Sequence, residues 1–138
     1  MSVDNVFYDS NIIVYALSND NQTKRNISLA AIKKHPPIIS TQVLNECANV
    51  FLRKKGFSPK DTKKMVDLLA KFSDVALISI ETIHIALDVM ERYHLSYYDS
   101  LIIASAIQSD CNIVYSEDMQ DGLVVDDKLT IVNVFNDS

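Results

Sequence analysis

Glycine is nearly absent from this sequence of 138 residues, in which Gly56 and Gly122 are the only two. A Walker phosphate loop and a Rossmann dinucleotide turn each need several glycines within one turn, because the backbone must approach the phosphates closely. Two isolated glycines build neither motif. The sequence therefore excludes these two ways of binding a nucleotide cofactor.

Cysteine and long apolar runs are also scarce. The two cysteines, Cys47 and Cys111, match neither a disulfide framework nor a zinc pattern, which suits a reducing compartment. No apolar run approaches the roughly 20 residues that a membrane-spanning helix needs, and no signal peptide opens the chain. We therefore expect a cytoplasmic protein with no membrane partner.

What the sequence does contain is an uneven distribution of charge. Residues 24–71 hold 11 of the 13 lysines and arginines against three acids, whereas the remainder holds two basic residues and 15 acids. A basic segment favours a polyanion partner, and an acidic remainder favours a cation site. For any single lysine pair, an ordinary solvated helix face is the simpler explanation. The candidates for contact with a polyanion are Arg53, Lys54, Lys55, Lys63 and Lys64.

Short β-prone runs alternate with helical patterns along the chain. The strand candidates include Val6-Phe7-Tyr8, Ile38-Ile39, Ala76-Leu77-Ile78 and the run from Cys111 to Tyr115. This alternation predicts an α/β fold with three layers, in which helices cover both faces of a central, mostly parallel sheet. Because the 138 residues contain no linker, we expect one domain over residues 1–138.

Four acidic residues stand at positions where chemistry is expected. Asp9 ends the first strand, Asp118 follows the fourth, and Asp99 opens an apolar helix. In a doubly wound sheet the carboxyl ends of strands and the amino ends of helices share one edge, so these three carboxylates can converge there. Glu46 lies at the border of the buried stripe of its own helix.

Each of these acids also has a purely structural explanation. Asp9 can cap the helix that follows it. Asp99 stands three residues after Ser96, which has the form of a capping box. Glu46 can pack its aliphatic stem while its carboxylate reaches water. The residues alone leave these alternatives open.

A cluster of carboxylates without a basic neighbour is costly unless a cation neutralises it. Ligands that offer only oxygen favour Mg²⁺ or Mn²⁺. Such an ion can activate water and stabilise the departing oxygen when a phosphodiester is cleaved. If the acids do converge, they therefore favour a Mg²⁺ or Mn²⁺ site of the kind that serves phosphodiester cleavage.

Together with their neighbours, these acids resemble the four acidic motifs of PIN domains. The matching stretches are Asp9-Ser10-Asn11, the helix around Glu46, Tyr98-Asp99-Ser100-Leu101-Ile102 and Ser116-Glu117-Asp118. The resemblance covers essentially the whole chain in order and spacing. A lone PIN domain of this size is most similar to the VapC-type toxins of toxin–antitoxin pairs.

The resemblance implies a Mg²⁺- or Mn²⁺-dependent endoribonuclease that forms a homodimer and is inhibited by a cognate antitoxin protein. It implies that Asp9, Asp99 and Asp118 bind the metal, and that Glu46 binds metal or positions water. Asn11 and Ser116 would support the carboxylates through hydrogen bonds. The polyanion expected at the basic segment would then be the RNA substrate.

The fourth motif departs from the pattern of many relatives, which carry a second acid two residues after the first. Here that position is Gln120, followed by Asp121, so a role for Asp121 or Glu117 in a second metal site stays open. Two rival functions also stay open. One is a nuclease of RNA processing or of DNA without a toxin role, and the other is a non-catalytic module whose acids hold a partner's arginine.

Overall fold

Six strands form one sheet in the computed structural model, which describes residues 3–136. Their bounds are Val6–Tyr8 (β1), Ile38–Ser40 (β2), Asp74–Ala76 (β3), Ile113–Tyr115 (β4), Val124–Val125 (β5) and Leu129–Val132 (β6). The order across the sheet is β3-β2-β1-β4-β6-β5. All neighbours run parallel except β5 and β6, so the predicted mostly parallel sheet is confirmed. The predicted domain ends at 1 and 138 lie outside the described residues.

Six helices flank the sheet within residues 3–136. Their bounds are Ser10–Leu17 (α1), Gln22–Lys34 (α2), Thr41–Arg53 (α3), Pro59–Phe72 (α4), Ile80–Tyr93 (α5) and Tyr97–Gln108 (α6). Four of them begin after a serine whose side chain accepts the N–H three residues further on, namely Ser40, Ser58, Ser79 and Ser96. Such a cap satisfies one of the free backbone donors of the first turn. The capping serines therefore fix where these helices start.

The middle of the sheet positions the acidic residues. β1 is fully buried and pairs in parallel with β2 on one side and β4 on the other. The carboxyl ends of these three strands therefore meet at one edge, called here the carboxyl edge. Asp9 follows β1 and Ser116 follows β4 at this edge, and α1 and α3 begin there.

The apolar helix that Asp99 was predicted to open is α6, whose apolar residues point in nearly every direction around its axis. Every residue from Ser100 to Ala106 is buried, and α6 packs against α5, β2 and β4. Asp99 lies in the first turn of this helix. A helix whose middle is buried therefore presents Asp99 from its amino end.

The third strand was predicted two residues too late. It covers Asp74–Ala76, and its register pairs Asp74 with Ile38 of β2. Leu77, which was assigned to the strand, is 76% exposed. The prediction followed the apolar run, but β3 is an edge strand and register with its neighbour sets its bounds. An edge strand can begin with an exposed aspartate because only part of it packs against the core.

Within residues 3–136, none of the helices combines the length and the apolar character needed to cross a membrane.

Candidate active site

Asp9 is the most enclosed of the acidic residues, with 7% of its surface exposed. It is the N-cap of α1, and its Oδ1 accepts the backbone N–H of Ser10 at 2.8 Å. Its Oδ2 accepts the hydroxyl of Ser116 at 2.8 Å, across from the end of β4. Burial raises the pKa of the Asp9 carboxyl, the two hydrogen bonds lower it, and the charges of Asp99 and Asp118 raise it again. Asp9 therefore caps a helix and also belongs to the set of acids Asp9, Glu46, Asp99 and Asp118, called here the acidic group.

Asp99 is half-buried at the amino end of α6. Ser96 caps the helix by accepting the N–H of Asp99 at 3.2 Å. Among the hydrogen bonds of residues 3–136, none ends on the carboxylate of Asp99, so the reciprocal half of a capping box is missing. The negative charge of this group raises the pKa values of Asp9 and Glu46. The carboxylate of Asp99 therefore faces other acids and is not used as a structural cap.

Glu46 points into the protein from α3. Its Oε1 is buried without a hydrogen-bond partner among the described residues. Burial, followed by the charges of Asp9 and Asp99, raises the pKa of the Glu46 carboxyl from its ordinary 4.5 to about 7. A buried polar atom without a partner costs about 1–3 kcal/mol, so the side chain is held in an unfavourable position. Of the two explanations that the sequence left open, the structure shows the inward-facing one.

Asp118 lies on the exposed side of the group, beyond the end of β4. Asn11 donates to Oδ2 of Asp118 at 3.0 Å, and its own Oδ1 accepts the N–H of Glu117 at 3.4 Å. The hydroxyl of Ser116 also accepts the N–H of Met119 at 3.4 Å. Asn11 and Ser116 thus join the start of α1 to the turn after β4, and they orient two of the acids.

The donor set has the chemistry of a site for a hard divalent cation. Its polar atoms are carboxylate oxygens, including the orphaned Oε1 of Glu46, and such ions prefer oxygen ligands. The one thiol nearby, Cys47, is buried, and burial raises its pKa to about 12, so it stays neutral. Among residues 3–136, no three His, Cys, Asp or Glu side chains approach closely enough to hold a metal ion. The acids are neighbours that repel one another and not a preassembled ligand shell.

Two further acids near the fourth motif are engaged elsewhere. Both oxygens of Glu117 are paired, one with the hydroxyl of Tyr15 at 2.7 Å and the other with Lys24. Asp121 accepts the N–H of Asn133 at 2.8 Å and the side-chain amide of Asn136 at 3.0 Å. These contacts turn both carboxylates toward structural partners.

A cleft of about 310 Å³ opens beside the acids, between α1 and α3. It is lined by Ser10, Asn11, Val14, Tyr15, Val50, Lys54, Lys55 and Asp118. A second cleft of about 440 Å³ shares Val50 and Lys54 with the first and adds Asn49 and Arg53. The five basic candidates therefore fall into two sets. Arg53, Lys54 and Lys55 line these clefts. Lys63 and Lys64 are exposed on α4 and line neither cleft.

The sequence did not indicate Tyr15 or Lys24 as part of the site's support. Lys24 lies over the rings of Tyr15 and Phe135, with its Nζ 4.9 and 5.3 Å from the ring centroids. Its carboxylate partner, Glu117, is 93 residues further along the chain. No local pattern indicates a pairing over that separation, so only the fold could bring these residues together.

Comparison with known protein families gives one match. The family model described as PIN domain matches residues 6–120, which contain all four candidate acids. None of the curated proteins matches the chain significantly.

Several solved structures share the fold at low sequence identity. A toxin–antitoxin complex from Klebsiella pneumoniae matches with a TM-score of 0.73 and 14% identity, over 95% of this chain and 98% of the other. VapC20 of Mycobacterium tuberculosis, described as a sarcin-ricin loop cleaving toxin, matches with a TM-score of 0.68 and 15% identity, over 83% and 90%. VapBC2 of Rickettsia felis, bound to a DNA fragment from its promoter, matches with a TM-score of 0.58 and 18% identity, over 80% and 85%.

Proposed function

This chain belongs to the PIN domain family, and from that premise we propose that it is a metal-dependent endoribonuclease and the toxin of a toxin–antitoxin pair. One observation carries the proposal. Asp9, Asp99 and Glu46 come from three separate elements at a single edge of the sheet, where the charge of Asp99 raises the pKa values of Asp9 and Glu46 and the charge of Asp9 also raises that of Glu46. Proteins rarely hold repelling carboxylates together without a task for them.

Asp9, Asp99 and Asp118, with Glu46, are the residues that would hold Mg²⁺ or Mn²⁺. Such an ion, when bound, lowers the pKa of water and stabilises the oxygen that leaves a phosphodiester. Ser116 and Ser10 hold the Asp9 carboxylate in one orientation, and Asn11 does the same for Asp118.

Glu46 has a separate part in this scheme. A carboxyl with a pKa of about 7 can take up and release a proton near neutral pH, which is what a general base requires. Glu46 therefore either completes the ligand set or accepts a proton from the attacking water. Glu46 lies on α3 one helical turn before Val50, which lines both clefts, and this supports a position close to the expected path of the RNA.

The toxin role rests on the similar structures from three bacteria, two of which are toxin–antitoxin complexes and one of which is described as a sarcin-ricin loop cleaving toxin. We propose RNA with a single-stranded segment as the substrate and a small antitoxin protein as the inhibitor. We place the protein in the cytoplasm, where both would be met, and we expect a homodimer.

Cleavage of a defined RNA by the purified protein tests the proposal. The wild type should cleave with Mn²⁺ or Mg²⁺ and not with EDTA. Asp99→Asn keeps the size of the side chain but removes one charge, and it should lower cleavage by at least about 10²-fold, as the loss of one electrostatic stabiliser does. Asp67→Asn, an equal change on the exposed face of α4, is the matched control.

The outcomes separate the alternatives. No cleavage by folded wild type with either ion would favour the non-catalytic binding module. Cleavage that Asp99→Asn and Asp67→Asn lower equally would remove Asp99 from the catalytic group. An antitoxin gene beside this one separates the toxin from a nuclease of RNA processing.

A further inference from the structure

The cleft beside the acids changes character along its length. Its inner end is formed by Asp118 of the acidic group, together with Ser10 and Asn11, which donate hydrogen bonds to Asp9 and Asp118. One turn further along α1 the lining becomes apolar, with Val14 and Tyr15, and Val50 faces them from α3. Beyond Val50, one helical turn later, Lys54 and Lys55 form the basic outer end. The cleft therefore runs from carboxylates through an apolar floor to a cation.

The scale of this gradient follows from helix geometry. The thiol of Cys47 contacts the carbonyl oxygen of Ser10 at 3.9 Å, which places this part of α3 at the inner end. Lys54 lies seven residues further on, or roughly 10 Å at about 1.5 Å per residue. The cation thus stands about two helical turns from the acidic group, and the apolar floor lies between them.

The two lysines at the outer end are not equivalent. Lys55 is paired with Asp20 of the loop between α1 and α2, so its charge is already compensated. Lys54 is exposed and makes no ion pair among residues 3–136. Lys54 also lines the adjoining cleft together with Arg53. Lys54 is thus the cation of the first cleft that is available to a ligand, and a longer chain can continue past it.

We propose that this cleft is the subsite for one nucleotide next to the cleaved phosphodiester, with the base and ribose on Val14, Val50 and Tyr15 and the phosphate on Lys54. The proposal rests on the proposed ribonuclease function and adds where the substrate lies. A nucleotide combines a flat, weakly polar body with an anionic end, which is the combination of surfaces that the cleft offers. The RNA then leaves across Arg53 and not along the lysines of α4.

The size of the cleft favours a nucleotide over a segment of a protein partner. Its volume of about 310 Å³ is at the lower end of the roughly 300–1,000 Å³ found for small-ligand sites. A partner helix is about 10–12 Å across and needs a longer groove. The continuity of the cleft with the acids through Asp118 and Asn11 also suits a chain whose next phosphate is cleaved.

The first test measures the charge at the outer end. Steady-state cleavage of a defined RNA is followed at several salt concentrations for wild type, Lys54→Met and Lys33→Met. Lys33 is exposed in the last turn of α2 and lines neither cleft, so its variant makes the same change in net charge away from the proposed subsite. We expect Lys54→Met to raise KM and to flatten the dependence of log kcat/KM on log salt by about 0.7, the value for one phosphate contact of a single strand. Lys33→Met should behave as wild type.

The second test probes the apolar floor. A series of RNA substrates is made, each with a single abasic nucleotide at a different position around the cleavage site. Wild type, Val50→Ser and Val66→Ser are compared on this series, and Val66, a half-buried valine of α4, supplies the control variant. When the missing base is at one particular position next to the cleavage site, kcat/KM of wild type and Val66→Ser should fall roughly fivefold or more, because base contacts contribute at least about 1 kcal/mol. Val50→Ser should lose most of that position dependence.

Failures of the subsite and of the function are distinguishable. A wild type that cleaves no RNA refutes the ribonuclease proposal. A wild type that cleaves, but shows equal salt slopes for Lys54→Met and Lys33→Met or no sensitive abasic position, refutes the subsite alone. Unchanged RNA kinetics in Val50→Ser together with lost inhibition by the antitoxin would assign the cleft to the antitoxin and overturn the proposal.

Discussion

Replacing Glu46 by glutamine should stabilise the protein in EDTA at alkaline pH and leave it nearly unchanged in acid. The folded carboxyl has its pKa raised to about 7, first by burial and then by Asp9 and Asp99. An acid whose pKa is raised by folding contributes stability below its unfolded pKa, near 4.5, and loses that stability as the pH rises through the folded pKa. Glutamine resembles the protonated acid and does not titrate. The gain of the variant should therefore grow from about pH 4.5 to pH 7.

The size of the effect can be bounded. A displacement of the pKa from 4.5 to about 7 corresponds to roughly 3 kcal/mol at about 1.4 kcal/mol per pH unit. Glu46 is only partly buried, and solvent screening reduces this upper limit to on the order of 1–2 kcal/mol. For a chain of this length, that gain raises the Tm by roughly 3–8 °C.

The assay is urea denaturation of wild type, Glu46→Gln and Glu91→Gln at several pH values in EDTA. Glu91 is an exposed carboxylate on α5, so its variant controls for the loss of one charge. The reasoning would be refuted if Glu46→Gln gave the same difference from wild type at pH 5 and pH 8. A pH-dependent gain of equal size in Glu91→Gln would show that net charge, and not the site, causes the effect.

Three further predictions concern the same edge and the proposed assembly. Asp9→Asn should melt higher than wild type in EDTA yet gain much less from Mg²⁺ or Mn²⁺ than the roughly 2.7 kcal/mol expected at 100-fold excess over Kd; equal metal-induced shifts in thermal melts would exclude Asp9 as a ligand. Ser116→Ala should lose about 1.5–3 kcal/mol in urea denaturation because a buried carboxylate loses a donor, whereas Ser105→Ala, which removes a buried hydroxyl that has no partner within residues 3–136, should cost little. Leu87→Lys, on a face of α5 that also exposes Ile80, should turn the proposed homodimer into a monomer in light scattering, and an unchanged mass would place the interface elsewhere.

The order of strands and helices was readable from the sequence because it depends on local signals. Ser58 and Pro59 mark the start of α4, the all-round apolar pattern marks α6 as buried, and the alternation of elements indicates a parallel sheet. The exception is β3. Its bounds depend on register with β2, and an apolar run carries no information about its partner strand.

The four acids were also readable as candidates, since each stands at the end of a strand, at the start of a helix or at the border of a stripe. Which way their side chains face was not. Whether Glu46 faces inward, and whether the Asp99 carboxylate hydrogen-bonds in a helix cap, depends on side chains that other helices and strands place beside them. The same holds for Glu117. Its position next to Asp118 in the sequence suggests that both bind metal, but in the structure the Glu117 carboxylate is paired with Tyr15 and Lys24.

The basic segment shows the same division most clearly. Its charge is a property of composition, so the sequence alone determined that residues 24–71 favour a polyanion. Only the tertiary structure separated Lys54 from Lys63 and Lys64, and paired Lys55 with Asp20. The physical reason is that each residue carries its charge whatever the fold, whereas the electrostatic field at the site depends on which charged residues the fold places close to it.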